Sequence, residues 1–514
     1  MPEFAAERAA AYPAENALVD DDRTFSWADL SDILNRTANN VLAADLGPQH
    51  RVAVFAENAA ETALAHLGAL LGGASAVPVN FHLTADEAAY ILKDSGTAVL
   101  FVGPKTAERG IEAARQAGIE TIVGWGDLPA NTASITPWTD WLAAGSDEHP
   151  SLDIRPRPNL LYTSGTTGRP KGTELPPTMF AGGDTMTAHL EGLRGARFAN
   201  YGPHLVVGPM YHTGPLSGMR ILVAGTSSVI LSRFDAEATL AAIDQHKTRS
   251  SVMVPTHFVR LLALPDEVKA KYDVSSMELV AHTGAKCPEE VKRAMIDWWG
   301  PIFVESYGAS EVGTTCSINS TDWLAHPGSV GRAVAPFEAL VVDDDGQPVP
   351  PKTEGRLYFR DTTGRGVVYH NDPEKSAAAH LEPGVFTLGE IGYVDDDGFV
   401  FITDRFSDMV VSGGVNLYPA EAENIIIDHP GVADVACIGI PQAEMGEELR
   451  ALVIRVAGSD ESADEILDYC RERLSTYKCP RSIDFVDDLG RNTMGKINKR
   501  ALRAPYWAAT NNGA

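Results

Sequence analysis

"LLYTSGTTGRPKGTEL", residues 160–175, consists of a short apolar run followed by small, hydroxylic, glycine, proline and basic residues. The glycines and the proline oppose a packed helix interior, so the stretch predicts a strand that ends in a loop. Successive small residues let backbone N–H groups converge on an anion, and hydroxyl groups and a lysine add further donors. The composition therefore favours a phosphate-binding loop over a flexible surface hairpin.

The donors of this loop are not arranged as in a Walker loop. Gly168 is followed by Arg169 and Pro170 before a lysine appears, whereas a Walker loop places Lys and then Ser or Thr directly after its last glycine. The candidate phosphate-binding residues are Ser164, Gly165, Thr166, Thr167, Gly168 and Lys171.

The overall composition is that of a globular protein without a nucleic-acid partner. The chain has 514 residues, of which 44% are hydrophobic and 22% charged, and its formal net charge is −27. A strongly acidic chain is a poor ligand for nucleic acid or an anionic membrane surface. The five cysteines form no Cys-x-x-Cys pair, which favours reduced thiols over a zinc site or disulfides. We expect a cytoplasmic protein with no signal peptide and no membrane segment.

The first 330 residues alternate between strand-like and helical patterns. Runs of buried-strand type lie at 51–58, 75–80, 97–103 and 121–126. Helical patterns lie at 61–73 and 84–96, and the second opens at Thr84 with Glu87 in capping-box register. This alternation predicts an α/β fold with doubly wound sheets.

The pattern changes after residue 330 and again after Arg405. Residues 339–350 and 392–402 each place an Asp-Gly pair between β-rich segments, which predicts hairpins in a small β-barrel-like subdomain. Their acidic triplets are interpreted as turn residues and not as metal ligands. Beyond Arg405 we predict a small α+β domain with helices at 416–426 and 462–477 and a frayed tail at 506–514. The predicted domains are 1–405 and 406–514.

Seven segments in order resemble the motifs of one enzyme superfamily. These segments resemble those of the adenylate-forming, or AMP-binding, enzymes, which include acyl-CoA synthetases, peptide-synthetase adenylation domains and luciferases. The resemblance covers about 160 to 500. The segments are YTSGTTGRPKG (162–172), PMYHTGP (209–215), HTGAKCP (282–288), ESYGASEVG (305–313), TLGEIGYVDDDGFVFITDR (387–405), SDMVVSGGVNLYPAEAE (407–423) and GRNTMGKINKR (490–500).

The resemblance implies a two-step reaction. A carboxylate attacks ATP to give an acyl-adenylate and pyrophosphate, and the acyl group then passes to a thiol. It implies ATP, Mg²⁺ and coenzyme A as the cofactors. It also implies that the C-terminal domain is mobile, because Lys496 must face the α-phosphate in the first step and Gly413–Gly414 must face the site in the second. The hinge would lie at Ser407.

The resemblance also assigns roles to single residues. Lys496, His212 and Glu311 are the catalytic candidates: Lys496 bridges carboxylate and α-phosphate, His212 orients the carboxylate, and Glu311 holds Mg²⁺ with Thr163. The nucleotide-binding and thiol-channel candidates outside the phosphate loop are Gly284, Ala285, Tyr307, Gly308, Ala309, Ser310, Glu390, Arg405, Gly413 and Gly414.

Four residues depart from the family pattern. Glu390 stands in place of the ribose-binding Asp, and Leu388 replaces a small hydroxylic residue. Ser407 stands where the hinge residue is commonly Asp or Lys, and Gly490 replaces a proline ahead of the lysine motif. We expect altered nucleotide binding and kinetics from these departures, with the function retained.

The acid is predicted to be apolar. No carboxylate follows Tyr211 to pair with a substrate ammonium, which argues against an amino acid. Residues Met210, Gly214, Gly218 and Met219 are predicted to wall an open apolar pocket for a fatty acid or a bulky alicyclic, steroid-like acid. Two alternatives stay open: an acyl-AMP ligase that loads a carrier protein, and a degenerate nucleotide-binding homologue. A homodimer is also left open.

Overall fold

The structure is a computed structural model. It describes residues 4–21, 23–129, 134–163, 170–343, 345–405, 408–456, 458–490 and 497–511, with the side chains of 404, 405 and 509–511 left out. We call residues 408–511 the C-terminal unit and residues 4–405 the N-terminal region.

The strands, in chain order, are β1 (Asn16–Asp20), β2 (Arg23–Ser26), β3 (Arg51–Phe55), β4 (Ser75–Val79), β5 (Val99–Val102), β6 (Thr121–Gly124), β7 (Ile135–Pro137), β8 (Leu160–Thr163), β9 (Lys171–Glu174), β10 (His204–Val206), β11 (Ser228–Ile230), β12 (Ser250–Met253), β13 (Leu279–His282), β14 (Phe303–Ala309), β15 (Gly313–Asn319), β16 (Ser329–Ala333), β17 (Phe337–Val342), β18 (Gly355–Asp361), β19 (His380–Glu382), β20 (Val385–Phe386), β21 (Glu390–Val394), β22 (Phe399–Arg405), β23 (Val410–Ser412), β24 (Val415–Leu417), β25 (Val432–Gln442), β26 (Gly446–Arg455) and β27 (Ser482–Phe485).

The helices are α1 (Phe4–Ala11), α2 (Trp27–Ala43), α3 (Ala60–Leu71), α4 (Ala85–Ser95), α5 (Ala107–Ala117), α6 (Trp138–Ala144), α7 (Met186–Leu193), α8 (Thr213–Met219), α9 (Ala236–His246), α10 (Pro255–Leu262), α11 (Asp266–Lys269), α12 (Glu289–Trp299), α13 (Ser320–Ala325), α14 (Pro373–Ala378), α15 (Pro419–Ile426), α16 (Ala463–Arg471) and α17 (Lys499–Asn511). Two 3₁₀ turns lie at Arg220–Leu222 and Thr476–Lys478.

Two sheets with parallel strands form the N-terminal region, as predicted. One has the order β4-β3-β5-β6-β7, and its strands pair in parallel. Strands β3 and β4 are buried along their whole length, because helices cover both faces of the sheet. The larger sheet has a parallel centre of β14, β13, β12, β10, β11 and β1. The capping box of Thr84 and Glu87 opens α4 as predicted.

The strands after residue 330 are antiparallel and extend this larger sheet through the β16–β22 pair. Strands β21 and β22 form the second predicted hairpin, closed by an Asp-Gly turn. One carboxylate oxygen of Asp395 accepts hydrogen bonds from the backbone N–H groups of Asp397 and Phe399. This acidic triplet therefore serves the turn, as interpreted from the sequence.

The C-terminal unit has its own antiparallel sheet, β24-β23-β26-β25, with β27 added parallel to β26. Helix α16 opens with the capping box of Ser462 and Glu465 and ends at Arg471, earlier than predicted. The prediction of a frayed tail is wrong for residues 506–511, because α17 continues to Asn511, and residues 512–514 lie outside the described residues. Tyr506 donates to Asp484 (2.8 Å) and Trp507 to the backbone oxygen of Gly439 (3.2 Å), and these bonds anchor the helix.

All five cysteines are buried and unpaired. Within the residues that the structure describes, no helix has the length and apolar character that a membrane crossing needs.

Candidate active site

A cavity of about 2000 Å³ lies between the N-terminal region and the C-terminal unit. It opens where the parallel strands β10, β12, β13 and β14 end, which is where open α/β sheets bind ligands. Twelve of the predicted site residues line it. They are Thr163, His212, Gly284, Ala285, Tyr307, Gly308, Ala309, Ser310, Glu311, Glu390, Gly413 and Gly414.

The predicted metal ligands are brought into contact. Thr163, the last residue of β8, donates its hydroxyl to Glu311 Oε1 at 3.2 Å, although 148 residues separate the two in sequence. Glu311 is 8% exposed. A carboxylate and a hydroxyl oxygen in a sheltered cleft are hard donors of the kind Mg²⁺ prefers, so this pair fits the metal.

A cationic group lies on the same side of the cleft. Lys171 pairs with Thr163 across the β8–β9 hairpin, and its ammonium group is 3.0 Å from Asp372 Oδ2. Lys375, on α14, lines the cavity, and burial and the neighbouring Lys171 lower its pKa to about 8. Sequence reasoning missed Lys375 because the surrounding DPEKS segment carries no chemistry-bearing motif.

The adenine and ribose candidates meet around Tyr307. Tyr307 donates its hydroxyl to Glu390 Oε2 at 2.7 Å, and Glu390 is 5% exposed. Glu390 pairs in register with Arg405 on the neighbouring strand. Gly284 has φ of +88°, a left-handed conformation that favours glycine, and directly precedes Ala285 after β13. The longer side chain of Glu390 thus has a partner in Tyr307.

His212 occupies the N-cap position of α8 without a side-chain capping bond and lies against Tyr211, with 4.3 Å between the ring centroids. Burial and, to a lesser degree, His82 lower the pKa of His212 to about 4. The imidazole is therefore neutral near pH 7. The next residue, Thr213, is 3.0 Å from Ser310, hydroxyl to hydroxyl, so the predicted carboxylate-orienting and phosphate-binding residues are adjacent.

The glycine turn of the C-terminal unit faces this site. Gly413 and Gly414 have φ of 58° and 83° and join β23 to β24. A side chain on Gly414 would meet Val254 at 3.0 Å, and one on Gly284 would meet the backbone oxygen of Gly414 at 3.4 Å. The turn therefore lies directly over the strand ends that carry the nucleotide-site candidates.

Several predicted residues lie outside the described part of the chain. These are Ser164, Gly165, Thr166, Thr167, Gly168, Ser407 and Lys496, together with the side chain of Arg405. Their roles stay predictions.

The predicted acyl wall is largely wrong. Met210 and Met219 are buried in the main core, and a side chain on Gly218 would meet His204 at 2.3 Å, so this glycine packs against the sheet. Only Gly214 of the four lines the cavity. The apolar wall instead comes from residues far apart in sequence, which no local pattern joins: Leu193, Phe198, Ile221, Val252 and Ala281.

The cleft has the parts of an adenylate-forming enzyme, and comparison with known proteins agrees. The family model "AMP-binding enzyme" matches residues 5–367, and "AMP-binding enzyme C-terminal domain" matches 421–496. The chain belongs to this family of AMP-binding enzymes, and its class is acid–thiol ligase.

Three relatives show how wide the similarity is. An indoleacetate–CoA ligase of Aromatoleum aromaticum is 30% identical over 98% of this chain and 97% of its own. A fatty acid–acyl-carrier-protein ligase of Streptomyces coeruleorubidus is 31% identical over 96% and 94%. A ligase of Rhodococcus jostii named for a 7a-methyl-1,5-dioxo-octahydroindenyl propanoyl group is 31% identical over 95% and 95%.

One solved enzyme is similar in two forms. The o-succinylbenzoate CoA synthetase of Bacillus subtilis, as a double mutant with its CoA product analogue, matches with a TM-score of 0.79 at 25% identity and 98% coverage of each chain. The same synthetase with its acyl-adenylate matches at equal identity and coverage with a TM-score of 0.63. The present arrangement of the chain is closer to the form with the CoA product analogue.

Proposed function

We propose that this protein joins a bulky apolar carboxylic acid, fatty or alicyclic, to coenzyme A through an acyl-adenylate. The observation that carries the proposal is that one cavity contains Thr163 and Glu311 in contact, the neutral His212, and the Gly413–Gly414 turn. The first pair suits the metal and phosphates of adenylation, and the turn suits the entry of a thiol. The apolar wall suits the acyl chain.

The residues act mainly by positioning and charge. In adenylation the carboxylate attacks the α-phosphorus and pyrophosphate leaves, so negative charge develops on phosphate oxygens. Mg²⁺, held by Glu311 and Thr163, would neutralise part of that charge when bound. His212, neutral with a pKa of about 4, donates or accepts a hydrogen bond at the carboxylate without adding charge. Lys496 supplies the cation at the α-phosphate in this proposal.

In the second step the thiol attacks the acyl carbon and AMP leaves. The Gly413–Gly414 turn lies over the strand ends and lines the cavity, so in this proposal the thiol reaches the acyl carbon past this turn. The higher similarity to a form with a CoA product analogue supports this reading of the present orientation.

A coupled AMP-release assay over a panel of carboxylic acids tests the proposal. AMP release that needs an acid and CoA supports it. AMP release that needs a phosphopantetheinyl carrier protein instead of CoA identifies a carrier-loading ligase, and no release with any acid identifies a degenerate homologue.

Lys496→Ala separates the two steps. Loss of pyrophosphate exchange with thioester formation from pre-made acyl-AMP largely retained is expected, since the lysine faces the α-phosphate only in the first step. Equal loss of both steps would contradict the assigned role.

A further inference from the structure

We propose that the acid activated by this enzyme carries a second carboxylate, and that Arg197 binds it at the far wall of the acyl pocket. The proposal rests on the proposed function, since it names the acid that the cleft would take. Arg197 lies in the connection between α7 and β10 and lines the cavity.

The register of the sheet places Arg197 on the acyl side. Val252 pairs with Ala281, and Glu305 pairs with His282, so Ser306 is level with Thr283. Side chains two residues apart on a strand share a face, so Ser306 lies on the same face as Val252 and Ala281. That face carries the cluster of Phe198 and Ile221. Arg197 donates from its NH1 group to Ser306 Oγ at 3.0 Å and so joins this wall.

The charge of Arg197 has no counter-ion among the described residues. The Ser306 hydroxyl is its hydrogen-bond acceptor, and no described carboxylate oxygen lies within 4.0 Å of it. Burial lowers the pKa of the guanidinium, with no opposing carboxylate. A guanidinium has five N–H donors and stays charged, and the described hydrogen bond to Ser306 uses one of them.

Arg220, the other arginine on this wall, shows the contrast. It is buried, donates to Asn159 Oδ1 and to the backbone oxygen of Met179, and lies 5.9 Å from the Phe180 ring centroid. Those contacts give Arg220 a packing role. Arg197 has one described hydrogen bond, to Ser306, and its side chain lines the cavity while remaining partly exposed to solvent.

A carboxylate is the ligand that fits. It accepts two parallel hydrogen bonds from a guanidinium and neutralises its charge. An acid without a distal anion would instead cover the charged group with apolar carbon, which is unfavourable. The charge of Arg197 beside apolar wall residues, with no described carboxylate within ion-pair distance, therefore selects an acid whose two carboxylates are separated by an apolar linker.

The test compares octanoate, suberate and monomethyl suberate as substrates for pyrophosphate release. With the wild-type protein, suberate is expected to have a kcat/KM at least tenfold above the other two. The ester keeps the carbonyl acceptor and loses the charge, so it separates recognition of an anion from recognition of a carbonyl. In Arg197→Met, the suberate-to-octanoate ratio is expected to fall at least tenfold.

Arg194→Met is the matched control. It makes the same substitution three residues earlier, at an exposed arginine that is 3.7 Å from Glu7 and lies outside the cavity lining, and it should leave the ratio unchanged. Ser306→Ala removes the acceptor that orients Arg197, and a smaller fall in the ratio is expected. If a thermal melt shows that Arg197→Met does not fold, the suberate-to-octanoate ratio of Ser306→Ala tests the proposal instead.

Results that contradict the second-carboxylate proposal differ from results that contradict the proposed ligase function. A wild-type preference for octanoate, or an equal loss of both activities in Arg197→Met, would overturn the second-carboxylate proposal while the ligase function stood. Absence of pyrophosphate release with any acid would overturn the proposed function itself.

Discussion

Within the described parts of the chain, the ion pairs Lys478–Glu87 and Arg260–Glu444 both join the C-terminal unit to the N-terminal region, and they differ in burial. At one, Lys478 is 2.8 Å from Glu87 of α4 and 2.7 Å from Glu421 of α15, and the three side chains are 5%, 14% and 4% exposed. Ser475 also donates to Glu87. At the other, Arg260 and Glu444 are 2.5 Å apart and 46% and 44% exposed.

This difference in burial indicates which of the two ion pairs stabilises the present orientation of the C-terminal unit. An exposed pair contributes about 0–1 kcal/mol because solvent screens it. Removing one partner of a buried pair costs about 3–5 kcal/mol because a charge is left in a poorly solvated place. The Glu87–Lys478–Glu421 group, which we call the buried triad, should therefore stabilise the present orientation, while Arg260–Glu444 should add little.

The largest effect is expected from Lys478→Met, which leaves two buried carboxylates facing each other. Thioester formation from pre-made acyl-AMP should fall by more than tenfold, and the melting temperature should also fall, because Glu421 belongs to the C-terminal unit itself. Pyrophosphate exchange should be affected less. A variant with wild-type thioester formation would show that the buried triad does not hold this orientation.

Glu87→Gln should have a smaller and more selective effect. It removes the carboxylate charge that the N-terminal region offers to Lys478 and leaves Lys478 with Glu421, and Gln still satisfies the capping box at α4. Thioester formation from pre-made acyl-AMP should slow about tenfold, corresponding to about 1.4 kcal/mol. The melting temperature should change little. Equal slowing of pyrophosphate exchange would point to a local defect in α4.

The pH dependence sharpens the comparison. Burial opposes ionisation of Glu87, but Lys478 and Ser475 outweigh it and lower its pKa below 4.5. Burial likewise opposes the charge of Lys478, but Glu421 and Glu87 raise its pKa above 10.5. The Glu87 contribution is present above pH 4.5 and is lost as the pH falls through its lowered pKa. The Lys478 contribution is present below pH 10.5 and is lost as the pH rises through its raised pKa.

The ratio of thioester rates for wild-type and Glu87→Gln proteins should therefore stay constant from pH 6 to 9. Stopped-flow measurement across this range checks it. A ratio that changes several-fold near neutral pH would show that another titrating group governs the contact.

The smallest effect is expected from Arg260→Ala. Thioester formation and pyrophosphate exchange should both stay within about twofold of wild type at physiological salt, since the pair is exposed. If Arg260→Ala slowed thioester formation as much as Glu87→Gln does, burial would not determine which ion pair stabilises the orientation.

Local patterns predicted much of the fold. The largely apolar runs at 51–58 and 75–80 indicate strands covered on both faces, and the Thr84–Glu87 spacing marks the start of α4, because both signals lie within a few residues. The contact of Thr163 with Glu311 could be expected only from the family resemblance. Its geometry depends on the packing of β8 against the end of β14.

Long-range packing accounts for what was missed. The local sequence predicts Gly218 and Met219 as pocket residues. In the fold, Gly218 packs against His204 and Met219 is buried in the hydrophobic core. Lys478 and Arg197 each resemble an ordinary solvated charge in sequence, and only the fold shows that one is buried between carboxylates and the other lines a cleft. Helix α17 was missed because its small residues and Pro505 give a weak helical signal, while its anchors, Asp484 and Gly439, lie on distant strands.

The anchoring of α17 also limits how the lysine motif can be delivered. Leu489 and Ile497, which flank residues 490–496, pack in the same apolar cluster with strands β25 and β26. Lys496 is bonded directly to Ile497, and consecutive Cα atoms are about 3.8 Å apart. A displacement of Ile497 therefore requires a displacement of the strands it packs against. Ile497 packs with the C-terminal unit, so a reporter attached beside Asn498 should follow the orientation of the whole unit during turnover.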